Sequence, residues 1–245
     1  MTTFGEVFAW FLKTSDEDPL GMDTWSRVIE VPRAHEHIIG PMAVDAADQA
    51  KALWEQVQAN PAVFQNHYSN YNAKQAWSAV SIRGYSPDTS MIAKPEEMND
   101  KWKEAHRNDV FTMQDTTLRA QWPAIEAILA RFPKSCVWHR LRLMRLSPGG
   151  GELQRHTDQV DVDSGFGVGQ LMRVHIPLVT NPGVVFTVWD TKGEARNVHM
   201  PVNTVWALDT RWPHRAINGG TSERVHLVMD VETTPALQDL LSSGG

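Results

Sequence analysis

Leu171-Met172-Arg173-Val174-His175-Ile176-Pro177-Leu178 alternates in character from residue to residue. Successive side chains of a β-strand leave opposite faces, so Met172, Val174, Ile176 and Leu178 share one face and Arg173 and His175 the other. The stretch Arg224 to Val231 repeats the arrangement: Val225, Leu227, Met229 and Val231 lie on one face, and Arg224, His226 and Asp230 on the other. Strands of this kind fit a closed sheet whose apolar face is covered by helices and whose ionisable face lines the interior. Charges buried at that density are costly unless they bind something. The two strands therefore predict a barrel with a ligand inside it.

Working outward, short β-rich runs occur at 136–146, 153–159, 170–179, 183–190, 194–200, 203–209, 213–218 and 223–231, separated by Gly, Pro and Asn turns. Short strands at this spacing predict a sandwich or barrel, and a jelly roll is the natural eight-stranded form. Upstream, Phe4, Val7, Phe8, Phe11 and Leu12 recur at helical spacing, and Arg27 to Val31 suggests a strand. A helix is expected from about Val44 to Asn60, with Asp45 as its cap, Ala50, Leu53, Trp54 and Val57 as its apolar stripe and Pro61 as its stop. Trp77 to Tyr85 is strand-like. Residues 86–115 are polar and weakly patterned, either a lid or substrate loop or a variable surface insertion. A further helix spans Thr116 to Phe132, in which Pro123 either starts a new helix or makes a kink. Thr234-Pro235 opens a C-terminal helix over 235–241. The expected fold is β-rich α+β in a single domain: a jelly-roll core over 136–232, packing helices mostly from the helical or mixed N-terminal segment, residues 1–135, and a C-terminal helix and tail over 233–245.

At 245 residues, with 42% hydrophobic and 21% charged residues, the chain can build a core without disulfides or a structural metal. The lone cysteine, Cys136, has no partner within the chain, which removes Cys-based zinc sites and fits a reducing cytoplasm. Net charge is −6, with 23 basic and 29 acidic residues and no Lys/Arg run, so no nucleic-acid partner is expected. The first residues lack the basic segment of a signal peptide, and no apolar run is long enough to span a membrane. The ten tryptophans are expected in the core, with Trp189, Trp206 and Trp212 on the barrel rim.

The chemistry centres on Gln154-Arg155-His156-Thr157-Asp158. His156 and Asp158, two apart on a strand, share a face, and His214 in Trp212-Pro213-His214 supplies a third ligand. Two histidines and one carboxylate on one side of a metal, with the other positions open, is the facial arrangement of non-heme Fe(II) oxygenases. Arg224 follows His214 by ten residues and offers a fork for a carboxylate. Plainer readings stand beside each residue. His-x-Asp is a common chance match, His214 fits a turn, His175 and His226 fit a satisfied core, and Arg224 fits a surface ion pair. The ordered set on strands favours a metal beside an anion site.

Pro148-Gly149-Gly150-Gly151-Glu152-Leu153-Gln154-Arg155-His156-Thr157-Asp158, Arg173 to Leu178, Asn203 to Asp209, and Pro213 to Asn218 with Arg224 to Val231 together resemble the aspartyl/asparaginyl β-hydroxylase family. The likeness covers about residues 136–232 in four ordered blocks. It implies a double-stranded β-helix that uses Fe(II), 2-oxoglutarate and O2. The iron ligands would be His156, Asp158 and His214. Arg224 would clamp the distal carboxylate of 2-oxoglutarate, His175 would contact the carboxylate near the iron, and Arg173 would meet the cosubstrate or an acid group of the substrate. The family's namesake lacks the carboxylate ligand and the related halogenases need a small residue there, so Asp158 points to a hydroxylase of the kind that modifies free amino acids, such as the proline cis-hydroxylases. Such an enzyme would hydroxylate an unactivated C–H bond of a small amino-acid-like substrate and release succinate and CO2. Arg83, Asn70 and Tyr71 are further candidates for gripping that substrate. The alternatives are hydroxylation of an Asp/Asn-type side chain in a peptide or protein, desaturation or cyclisation after the same first step, and a non-oxidative cupin-like metal- or ligand-binding protein. A retired sensor should have lost a ligand, and this chain has lost none.

Overall fold

A computed structural model describes residues 39–242 apart from 68, 70, 159–163 and 191. The helix expected at Phe4 to Leu12 and the strand at Arg27 to Val31 lie outside these residues. In chain order the elements are β1 (Ile39–Pro41), α1 (Ala47–Ala59), β2 (Gln65–Asn66), β3 (Asn72–Ala73), β4 (Trp77–Gly84), a 3-10 turn (Pro95–Glu97), α2 (Asp100–Ala105), β5 (Gln114–Asp115), α3 (Thr117–Gln121), α4 (Ala124–Leu129), β6 (Trp138–Leu146), β7 (Gly151–His156), β8 (Leu171–Val179), β9 (Val184–Trp189), β10 (Ala195–Val198), β11 (Trp206–Leu208), β12 (His214–Asn218), β13 (Arg224–Glu232) and α5 (Pro235–Ser242).

The strands form two sheets. One has the order β1-β11-β8-β13-β6-β4-β2, with β5 paired to β4, and the other has β10-β9-β12-β7-β3. From β6 to β13 the chain passes repeatedly between them, giving the expected double-stranded β-helix: β11-β8-β13-β6 faces β10-β9-β12-β7. All eight expected strands are present.

The alternation in β8 and β13 is realised. Met172, Val174, Ile176, Val225, Leu227, Met229 and Val231 point outward and pack under Leu53 and Val57 of α1, Leu118 of α3, and Ile125 and Ile128 of α4. Each such side chain contributes about 1.5–3 kcal/mol by leaving water. This helical layer seals the larger sheet and leaves its inner face for polar groups. Between the sheets a second, smaller apolar cluster contains Ala79, Met144, Leu146, Phe186, Val188, Leu208, Ala216 and Val228.

Several details differ from expectation. The N-cap of α1 is Ala46 with no side-chain cap, while Asp45 lies one residue earlier and its carboxylate accepts the Ala47 N–H, at 3.3 Å. The helix expected over Thr116 to Phe132 is two helices, because Pro123 lacks the N–H that would continue α3 and sits instead at the start of α4. Residues 86–115 are not structureless: Asn99 caps α2 through the Trp102 N–H at 2.9 Å, and β5 pairs with the end of β4. Trp212 is buried at 2% exposure and is not a rim residue.

Candidate functional site

The smaller sheet brings His156 and His214 face to face. They are cross-strand partners on β7 and β12, with ring centroids 4.3 Å apart. Their pairing depends on a bulge: between His214 and Ala216 the partner runs from His156 to Leu153, so β7 carries one extra residue. Leu153 packs against the inner cluster. Strict alternation from it would point Arg155 inward and His156 outward, and the bulge reverses this. Gln154 is exposed, the Arg155 guanidinium lies 4.5 Å over the Trp189 ring, and His156 is buried.

Asp158 lies beyond the end of β7, so it does not share a strand face with His156 as expected. Its N–H donates to the Thr210 carbonyl at 2.9 Å, which turns the carboxylate back toward the histidines. Asp158 Oδ1 is 3.4 Å from His156 Nε2. One donor atom each of His156, Asp158 and His214 lie within 4.8 Å of one another.

Both imidazoles are prepared as ligands. His156 Nδ1 bonds the Gln154 carbonyl at 2.7 Å and His214 Nδ1 the Trp212 carbonyl at 2.8 Å. A carbonyl only accepts, so each Nδ1 carries a proton and Nε2 is the atom left for a metal. Burial, reinforced by neighbouring His156, lowers the His214 pKa to about 3 and keeps that ring neutral. Burial alone would raise the Asp158 pKa, but Arg173, His156 and His214 outweigh it and hold the carboxyl ionised. Phe186 stacks on His214 and Tyr71 on His156, fixing both rings. Two imidazoles, each with Nδ1 tied to a backbone carbonyl, and a carboxylate form a donor set that fits a divalent metal of the Fe(II) type.

Further along the inner face of β8 and β13 lies a group of unsatisfied donors. Arg224 Nη2 donates to His226 Nδ1 at 2.9 Å, which leaves the His226 proton on Nε2. That Nε2, Arg224 Nε and both nitrogens of His175 are buried with no hydrogen-bond partner. Burial lowers the Arg224 pKa to about 9, and burial followed by the Arg224 charge pushes His175 and His226 well below the usual histidine range. Unmade hydrogen bonds on buried groups are expensive. A carboxylate seated here would accept from His226 Nε2, Arg224 Nε and the one protonated nitrogen of His175.

Arg173 is in a different position. It donates to Asp158 through Nη1 and to its cross-strand partner Asp230 through Nε at 2.8 Å, so the chain's own acids occupy its fork. Asp230 also accepts from Arg140 Nε at 3.0 Å and lies 3.5 Å from Arg142 Nη2. Burial raises the Asp230 pKa, but Arg173, Arg140 and Arg142 overcome it and drive it far below the carboxylate range. Of the other candidates, Arg83 pairs with Asp115 at 2.9 Å and with the Trp138 carbonyl, away from the metal-type cluster. Asn70 lies outside the described residues.

A family model described as Aspartyl/Asparaginyl beta-hydroxylase matches residues 45–234. The chain belongs to this family. L-Proline cis-4-hydroxylase from Rhizobium meliloti (strain 1021) is 33% identical over 79 residues, which cover 32% of this chain and 25% of that protein, so the match spans a quarter of the relative's length. Among solved structures, a Pseudomonas putida prolyl-4-hydroxylase aligns with a TM-score of 0.46 at 14% identity, covering 81% of this chain and 94% of the other. An oxidoreductase of the 2OG-Fe(II) oxygenase family from Burkholderia pseudomallei gives 0.45 at 14% identity, covering 76% and 79%.

Beside the candidate ligands stand residues that sequence reasoning passed over. Arg140 and Arg142 on β6 face inward between outward Leu141 and Leu143, so the alternation that exposed Arg173 and His175 applies to them too. Arg142 is buried, its Nε has no acceptor, and Nη1 reaches only the Ile92 carbonyl at 3.4 Å. Lys94 and Glu97 of the 86–115 segment stand beside these arginines, with Glu97 Oε2 3.9 Å from Arg140 Nη1. His67 stacks on Trp77 and accepts the Ser69 N–H at Nδ1. No sequence pattern marked it.

Proposed function

We propose that this protein is an Fe(II)- and 2-oxoglutarate-dependent dioxygenase that hydroxylates an unactivated C–H bond of a small amino-acid-like acid in the cytoplasm. The observation that carries this reading is the convergence of His156, Asp158 and His214 beside the buried, unsatisfied donors of Arg224, His226 and His175. His156 and His214 would hold iron through Nε2, and Asp158 through a carboxylate oxygen. Arg224 and His226 would take the distal carboxylate of 2-oxoglutarate, with His175 near its other end. The unsatisfied Nε of Arg142 makes that residue the best seat for a substrate carboxylate, with Arg140 and Lys94 beside it. Bound iron would supply the oxidative decarboxylation of 2-oxoglutarate with O2 and the transfer of one oxygen atom to the substrate. The chain's own part is to keep His214 neutral and both histidines oriented, hold Asp158 ionised, and exclude water with Phe186, Val188, Leu208 and the helical layer.

Family membership supports hydroxylation, and the relative named for L-proline supports a free amino acid over a protein side chain. Among the described residues no helix is long and apolar enough to cross a membrane, and the single Cys136 fits a reducing compartment. The test is a succinate-release screen over free amino acids and short peptides, with product mass checked for the gain of one oxygen. The expected hit is a free amino acid, and His156→Ala is expected to abolish succinate formation. No charge-transfer absorption with Fe(II) and 2-oxoglutarate under anaerobic conditions, together with no succinate on admitting air, would sink the oxygenase reading. A peptide as the best substrate would move it to the protein-modifying branch.

A further inference from the structure

Asp209 and Arg211 are almost fully buried, at 0% and 6% exposure, and they bind each other. Oδ1 of Asp209 accepts Arg211 Nε at 2.9 Å and the Arg211 N–H at 3.2 Å, and Oδ2 accepts Nη2 at 2.6 Å. Among the described residues neither side chain hydrogen-bonds a candidate metal ligand. A buried ion pair adds little net stability compared with apolar residues of the same volume. Its use lies in what it fixes.

The pair closes the turn between β11 and β12, where the Trp212 N–H also meets the Asp209 carbonyl at 3.3 Å. That turn presents two carbonyls. Thr210, between the paired residues, accepts the Asp158 N–H at 2.9 Å. Trp212, one residue further on, accepts His214 Nδ1 at 2.8 Å. The guanidinium also packs against Gly165: a Cβ added there, where φ is +144°, would lie 2.7 Å from Arg211 Cζ.

We infer that the Asp209–Arg211 pair is the positioning element that holds Asp158 and His214 in mutual register, setting metal affinity through two backbone carbonyls without touching the metal. The planar fork fixes the peptide units of Thr210 and Trp212 relative to each other. One carbonyl then orients the carboxylate ligand, and the other fixes the tautomer and rotation of the imidazole. This inference rests on the metal reading proposed above.

The test compares wild type with Arg211→Lys, which keeps the charge but loses the two-point fork. Metal-free protein is titrated anaerobically with Fe(II) in the presence of 2-oxoglutarate, reading the charge-transfer absorption, and its thermal unfolding is measured separately. Positioning partners of metal ligands typically govern affinity by about 10–100-fold, and a loss of that size is expected for Fe(II). At saturating metal, 2-oxoglutarate affinity should change by no more than about twofold, because Arg224 is a separate site. A folded Arg211→Lys protein with wild-type Fe(II) affinity overturns the inference, as does lower thermal stability with unchanged affinity. If that variant does not fold, Asp209→Asn carries the test, since it keeps an acceptor for the Arg211 N–H while removing the charge. Unchanged Fe(II) affinity there overturns the inference equally. Wild type separates the two levels: failure of wild type to take up Fe(II) removes the metal reading and this inference with it, whereas equal binding by wild type and variants removes this inference alone.

Discussion

Arg173 and Arg224 project from neighbouring strands into the same interior, and both looked like carboxylate clamps, yet their surroundings are opposite. Arg173 is enclosed by Asp158 and Asp230. Arg224 has one histidine for a partner and a buried Nε with none. An inward arginine is therefore not by itself a ligand site. What separates these two arginines is the count of hydrogen bonds left unmade, which follows whether the opposing strand supplies an acid. Asp230 is the register partner of Arg173, whereas Arg224 faces Leu146 across the β6 ladder.

The strongest way to break this contrast is Asp230→Asn. Three arginines would lose a shared buried counter-ion, and uncompensated buried charge costs about 3–5 kcal/mol. Urea unfolding of the metal-free protein should show a loss of that size, and unchanged stability would mean that Arg173, Arg140 and Arg142 do not form a closed network. Arg224→Met should do the reverse. Folding stability should hold or rise, because an under-satisfied buried cation is replaced by an apolar chain. Affinity for 2-oxoglutarate, read by titration of metal-loaded protein, should fall by about 2 kcal/mol or more, roughly thirtyfold. Retention of wild-type affinity would take Arg224 out of the anion site. Arg142→Met sharpens the contrast on the substrate side: the KM of the best substrate should rise with little change in 2-oxoglutarate affinity, and an unaffected KM would remove Arg142 from substrate binding.

The smallest effect concerns pH. Burial, with Arg142 nearby, lowers the His67 pKa from 6.5 to about 3. Between those values the unfolded chain takes up a proton that the folded chain refuses. The stability contributed by neutral His67 is thus fully present above about pH 6.5 and is lost as pH falls toward 3, at up to about 1.4 kcal/mol per pH unit. His67→Gln should flatten the stability–pH curve of the metal-free protein between pH 6.5 and 5, and an unchanged slope would show that His67 titrates normally.

The β-helix was legible because two-residue periodicity survives wherever a strand has two chemically different faces, as β8 and β13 do. It was less legible where elements are too short to show a period. Strands β1, β2, β3 and β5 have two or three residues each and exist because a longer neighbour offers them a ladder. Helix α2, six residues long, is defined largely by its Asn99 cap. Within the site the ligand residues were legible as chemistry but not as geometry. Asp158 reaches the histidines from beyond the strand, through a backbone bond to Thr210 that no side-chain pattern reports. Arg140 and Arg142 were within reach of the same alternation rule, while the Asp209–Arg211 pair becomes meaningful only once the turn around it is closed.

The extra residue in β7 has a consequence for how the site tolerates a change of chain length. Which side chains a strand shows to the interior is a matter of odd or even counting, and the bulge changes the parity once, just before His156. Removing one residue at Gln154 or Arg155 would restore even counting. Leu153 and His156 would then be two apart and share a face, so the expected product is a barrel that melts much as before and still takes up Fe(II), with the imidazole reached by plain alternation. In this chain, one residue of length separates a bulged from a regular path to the same imidazole, with no change to the core.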